Sequence, residues 1–217
     1  PELLRSALAQ RGFSVADETE GLESVLDVFA FFRDGAFAPG GIAARTTGAR
    51  GTRRSLQPSG LSAEDEFAAY RLAERAGRAL GFERGPLQVT LARRPGEFVL
   101  VALQPAFLDL LGAGPIAQLA RGKSPLQAWF AHLAGAGGPF DEVTPLTRTA
   151  AGWLALFGER AGLFAGIDGL ARARALPGIT GVLSSEPGRL LASPELEADP
   201  LAYVWASGHD REELAER

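Results

Sequence analysis

Few residues in this chain have the type and spacing for chemistry, and they cluster in one place. Arg50, Arg53 and Arg54 stand together in "ARGTRRSLQPSG", Ala49 to Gly60. Guanidinium forks match the oxygens of phosphate, so this run has the chemistry to close over one. It also lacks an apolar period and is dense in turn formers, which makes a mobile, charged surface loop the better account. His132 and His209 have no carboxylate or serine partner motif for acid–base work. They read as surface or helix-packing residues. Lys123 is the single lysine, and phosphate chemistry often uses lysine as a point charge, which argues against a self-contained kinase or ligase site. The glycines from Gly135 to Gly138 lack the strand–loop–helix setting of a phosphate loop and read as a turn.

The bulk composition narrows the choice of elements that could position such residues. The chain has 217 residues, 46% hydrophobic and 22% charged, enough for one sizeable domain or a domain with an appendage. A formal net charge of -4 speaks against non-specific nucleic-acid binding. With no cysteine, disulfides, thiol catalysis and zinc–thiolate sites are excluded. Runs such as "VLDVFAFF" fall far short of the roughly 20 apolar residues that span a bilayer. "PELLRSALAQRG" is too charged for a signal peptide. The expectation is a cytoplasmic protein with a protein partner or a homo-oligomeric state, no nucleic acid and no membrane. A start at Pro1 and the absence of methionine suggest a processed chain or a piece of something larger.

Helical spacing in Leu3, Leu4, Ala7 and Leu8 predicts a helix from Glu2 to Gln10, closed by Gly12. "FSVADE" is short and strand-like. "ESVLDVFAFFRDG" and "AFAPGGIAARTTG" read as two strands of a hairpin turning at Asp34-Gly35. Ser62 is a helix N-cap with Asp65 at N3, and Phe67, Tyr70, Ala73, Gly77 and Leu80 make one apolar stripe over 63–80. Phe67 and Tyr70 are expected to be largely buried. "LQVTL" and "FVLVALQ" then pair antiparallel around Pro95-Gly96, with Leu100, Ala102 and Gln104 on one face. Ser124-Pro125 opens a helix to Leu133, in which Trp129 and Phe130 read as core, as does Trp153. From Thr147 the pattern shifts to short β segments broken by glycine.

Taken in order, these pieces resemble the C-terminal part of an ATP-grasp domain of the carboxylate–amine ligase type. "VADETEGLES" is similar to the hinge strand, and "LSAEDEFAAYRLAERAGRALGFERGPLQVTL" to a helix, glycine and strand. "GEFVLVALQPAF" is similar to the strand that ends glutamate-any-asparagine-proline-arginine. "RGKSPLQAWFAHLAG" and the β-rich stretch to "SGHDREELAER" complete the set. The implied fold class is α+β: a mainly antiparallel sheet with packed helices. Residues 1–146 would form an ATP-grasp-like C-terminal subdomain and 147–217 a small β-rich extension packed on it. The resemblance implies nucleotide-hinge roles for Asp17, Glu18 and Glu23, against a plainer reading as solvated turn residues. The family's lysine-bearing nucleotide subdomain has no counterpart.

The departures carry the functional reading. The resemblance implies metal positions on the two neighbouring strands, and these hold Thr90, Ala102 and Gln104, with Ala106 further on and Pro105 retained. Magnesium takes oxygen ligands in near-octahedral geometry. Threonine, alanine and glutamine do not neutralise divalent cations, so no metal site and no catalytic residue is expected. ATP remains a candidate cofactor and Mg²⁺ does not. Three functions follow: a degenerate ATP-grasp-like module with a structural or interaction role, in a split assembly; a subunit of an ATP-dependent carboxylate–amine ligase; or a metal-independent small-molecule binder. Thr90→Glu, Ala102→Glu and Gln104→Asn together are expected to recreate a cation site.

Overall fold

The computed structural model describes residues 2–16, 24–47, 52–105, 113–122, 125–136, 149–158, 160–191 and 200–216. The chain opens with α1 (Glu2–Ala9). A hairpin follows, made of β1 (Ser24–Arg33) and β2 (Ala36–Thr47). Its two-residue turn places Asp34 and Gly35 at φ 49° and 80°. Two positive φ values mark a type I′ turn, whose twist matches the flanking strands. The turn is anchored from outside, since the Asp34 carboxylate accepts a hydrogen bond from Arg84. That bond, and then the charge of Arg84, hold Asp34 below its usual carboxylate range. Its stabilising contribution is complete above that range and is lost as pH falls through the lowered folded value. We therefore expect Asp34→Asn to lower the urea midpoint slightly at neutral pH, with the gap to the parent closing in acid.

The segment expected to be a loop is a strand. β3 (Thr52–Gln57) pairs with β2 on one side and with β6 (Ala150–Leu156) on the other. Its apolar period is missing because Arg53, Ser55 and Gln57 line one sheet face, leaving Leu56 for the other. Position in the sheet overrides the turn-like composition.

Next come α2 (Ala63–Ala79), β4 (Gly85–Arg94) and β5 (Glu97–Gln104). The β4–β5 pair is antiparallel as expected, with Gly96 at φ 80° in the turn. Ser62 caps α2, its hydroxyl accepting from the Asp65 amide at 3.1 Å, while the Asp65 carboxylate accepts from Arg93 instead of closing a capping box. The expected face of α2 meets the core through Tyr70, Ala73, Gly77 and Leu80, and Phe67 departs from it. Ala69, Ala73, Ala76 and Gly77 are buried, Tyr70 is half-buried, and Phe67 is 64% exposed under Arg71. The reason is close approach: a Cβ on Gly77 would stand 2.7 Å from the Phe32 ring. Small residues let the helix sit down on the sheet, and the aromatic ring is left at the side.

α3 (Ala113–Arg121) and α4 (Pro125–Leu133) follow, then β6, β7 (Gly162–Leu163), α5 (Leu170–Arg174), β8 (Ile179–Ser184), β9 (Leu190–Leu191), β10 (Ala202–Gly208) and α6 (Arg211–Glu216). The eight-stranded sheet runs β5-β4-β1-β2-β3-β6-β10-β8, and β7 and β9 form a separate ribbon. Strands from the 147–217 segment thus continue the main sheet through the β3–β6 ladder. Among its described residues, the "FSVADE" segment contributes a bridge from Val15 to Leu100.

Each face of the sheet has its own core. One holds Leu26, Val28, Phe32, Leu87 and Val89 beneath α2. The other holds Phe29, Phe31 and Trp153 with Ile116 and Ala120 of α3. Trp129 joins it, stacking on Phe31 at 5.9 Å between centroids, whereas Phe130 points away and is 58% exposed.

Candidate functional site

The α3 face carries a band of polar residues that the ladders place in rows. Across β4 and β5, Thr90 stands opposite Ala102 and Gln88 opposite Gln104. Across β1 and β4, Asp27 stands opposite Thr90 and Phe29 opposite Gln88. Strand alternation therefore puts Thr90, Ala102 and Gln104 on one face, joined by Gln88 and Asp27. One expectation needs correction. Leu100 does not share that face, because a register shift between Thr90 and Leu91 turns it into the α2 core with Leu103. At the centre of the face Gln88 and Thr90 are buried.

Asp27 is the one carboxylate in the band among the described residues, and it is fully engaged. Arg45, on β2, donates from Nε to Oδ2 at 2.8 Å and from Nη2 to Oδ1 at 3.2 Å. The Thr90 hydroxyl donates to Oδ1 at 2.9 Å. Only 4% of Asp27 is exposed, so a buried anion is neutralised by a forked cation and a hydroxyl. The remaining amide oxygens are neutral, those of Gln88 and Gln104, and the Gln88 side-chain carbonyl is buried and accepts no hydrogen bond among the described residues.

The donors at these positions do not fit Mg²⁺. The ion takes near-octahedral oxygen ligation at about 2.0–2.1 Å, usually through one or two carboxylates. Here the carboxylate is already neutralised by Arg45, and a second cation beside that guanidinium would be repelled. Ala102 has no donor at all. Among the described residues no group of three His, Asp or Glu side chains could hold a metal.

Of the residues singled out from the sequence, Asp17, Glu18 and Glu23 lie outside the described residues, as do Arg50, Ala106 and Lys123. Arg53 and Arg54 sit on β3 and face opposite ways: Arg54 donates to Thr46 Oγ1, and Arg53 lies over Phe157. His132 packs on Trp129, and His209 is exposed. Sequence reasoning missed Asp27 and Arg45. The available signal was a charge inside the apolar run "VLDVF" and another directly after the apolar run of "IAART".

No sequence-family model and no curated protein matches the chain. Solved structures do. An L-amino acid ligase from Bacillus licheniformis superposes with a TM-score of 0.74 at 15% identity, over 90% of this chain and 51% of that one. The phosphoribosylaminoimidazole carboxylase ATPase subunit from Aquifex aeolicus gives 0.69 at 14% identity, over 98% and 67%. An N5-carboxyaminoimidazole synthase from Aspergillus clavatus gives 0.67 at 13%, over 90% and 49%. The chain thus spans about half the length of the amino acid ligase it matches. At such identities the likeness speaks for the fold alone, and on it the chain has the fold of an ATP-grasp subdomain, similar to the carboxylate–amine ligases.

Proposed function

We propose that this chain is a degenerate ATP-grasp-like module that performs no phosphoryl transfer of its own and serves a structural or protein-interaction role within a split assembly. One observation carries the reading: the band that would have to hold the metal contains Thr90, Ala102, Gln104 and a carboxylate already paired with Arg45. Phosphoryl transfer depends on metal ions bridging and neutralising the phosphates. Any nucleotide this chain holds is then held without Mg²⁺.

A second reading is favoured by the coverage of about half of the amino acid ligase. In it, the chain is a subunit of an ATP-dependent carboxylate–amine ligase whose partner supplies lysines and metal ligands. Thermal unfolding with ATP, with and without Mg²⁺, tests the proposal. A ligand at about 100 times its dissociation constant stabilises by about 2.7 kcal/mol. We expect no Mg²⁺-dependent stabilisation by ATP. A clear Mg²⁺-dependent shift in the isolated chain would overturn the loss of metal chemistry and restore the ligase reading.

A further inference from the structure

The helix α2 lies on the side of the sheet away from α3, and its outer face carries charges that no ion pair uses. Glu64, Phe67, Ala68, Arg71 and Arg75 are all exposed and follow one another at helical spacing, so they form one stripe. Asp65 and Arg78 beside it are already engaged, with Arg93 and Glu74. Glu64, Arg71 and Arg75 have no opposite charge among the described residues. The Arg71 guanidinium lies over the Phe67 ring at 5.9 Å, and that of Arg75 over Phe13 at 5.5 Å.

The stripe is ordered along the helix. Its free anion stands in the first turn and its free cations in the second half, with the exposed ring of Phe67 between them. A face ordered in this way complements itself when a copy is turned end for end. With a two-fold axis between residues 69 and 70, Glu64 meets the partner's Arg75 and Ala68 meets the partner's Arg71, each pair occurring twice. Ala68 has only a methyl group, so the two helices can approach closely there. We propose that this face binds a second copy of the chain, α2 against α2 and antiparallel, in a two-fold dimer. Such a contact is isologous, and an aromatic ring with arginines beside it has the composition of an interface core. A phosphate-covered partner, nucleic acid or anionic lipid, fits less well, because the acidic first turn of Glu64, Asp65 and Glu66 would repel it. The helix has 17 residues and is about 25 Å long, so the contact is at the small end of specific interfaces. The dimer is accordingly weak. Neither nucleotide nor metal enters it, so a monomeric protein leaves the proposed loss of metal chemistry standing, and the reverse holds too.

Sedimentation equilibrium of the whole chain at low ionic strength, from about 1 μM to about 1 mM, tests the proposal. The parent is expected to dimerise within that range, and Phe67→Ser to do so at least about tenfold more weakly. Glu64→Arg and Arg75→Glu each set like charges opposite one another twice, so each alone should lose dimerisation by about as much. Mixed in equal amounts, these two variants regain opposite charges at both positions and should associate with each other about as tightly as the parent does with itself. Urea unfolding of each variant verifies that it folds, as its exposed position allows. A parent that stays monomeric at the highest concentration, a Phe67→Ser variant that dimerises as well as the parent, or a mixture that associates no better than its components would overturn the proposal.

Discussion

Replacing Asp27 with alanine is expected to destabilise the protein by about 3 kcal/mol, in the range for breaking a buried ion pair by removing one partner. The substitution strips Arg45 of both its hydrogen bonds to that carboxylate and the Thr90 hydroxyl of its acceptor. Most of the loss comes from the groups left behind. The double variant Asp27→Leu with Arg45→Met removes both charges and fills the space, and buried pairs replaced in this way are often neutral. It should therefore unfold at a higher urea midpoint than Asp27→Ala. If the double variant is the less stable of the two, the pair contributes net stability and is not merely a neutralised relic. Equilibrium urea unfolding of the parent, Asp27→Leu, Arg45→Met and the double variant gives the coupling directly.

The second large effect comes from rebuilding oxygen ligands. Thr90→Glu, Ala102→Glu and Gln104→Asn together place two new carboxylates in the row with Asp27, because Thr90 is the ladder partner of both Asp27 and Ala102. Without metal these carboxylates repel one another, and Thr90 is a buried position. The triple variant should be markedly less stable than the parent in chelator. With Mn²⁺ or Mg²⁺ at about 100 times its dissociation constant it should regain about 2.7 kcal/mol. The parent should show no such metal dependence. A triple variant that gains nothing from either ion would mean that these side chains do not converge, or that Arg45 keeps the cation out. Adding Arg45→Met to the triple variant separates these cases, since only the second is cured by it.

Much of the scaffold was legible in the amino-acid sequence because it depends on local chemistry. Asp34-Gly35 and Pro95-Gly96 each define a two-residue hairpin loop, and Ser62 defines the start of α2. The antiparallel β4–β5 pair and the common face of Thr90, Ala102 and Gln104 followed from period-two alternation. The order of these pieces was enough to suggest the ATP-grasp fold.

The tertiary structure decided what depends on neighbours distant in the chain. β3 looked like a loop because its residues face a polar band on one side, and only β2 and β6 make it a strand. Phe67 looked like core, but a helix seated on Gly77 and alanines turns its small face inward. Leu100 changed faces through one register shift that alternation alone does not reveal. The Asp27–Arg45 pair joins positions 18 residues apart, and Thr90 reaches the same carboxylate from 63 residues away. Such contacts arise from strand order. Local propensity carries no information about which strand lies beside which, so the chemistry of the band became visible only once the sheet was assembled.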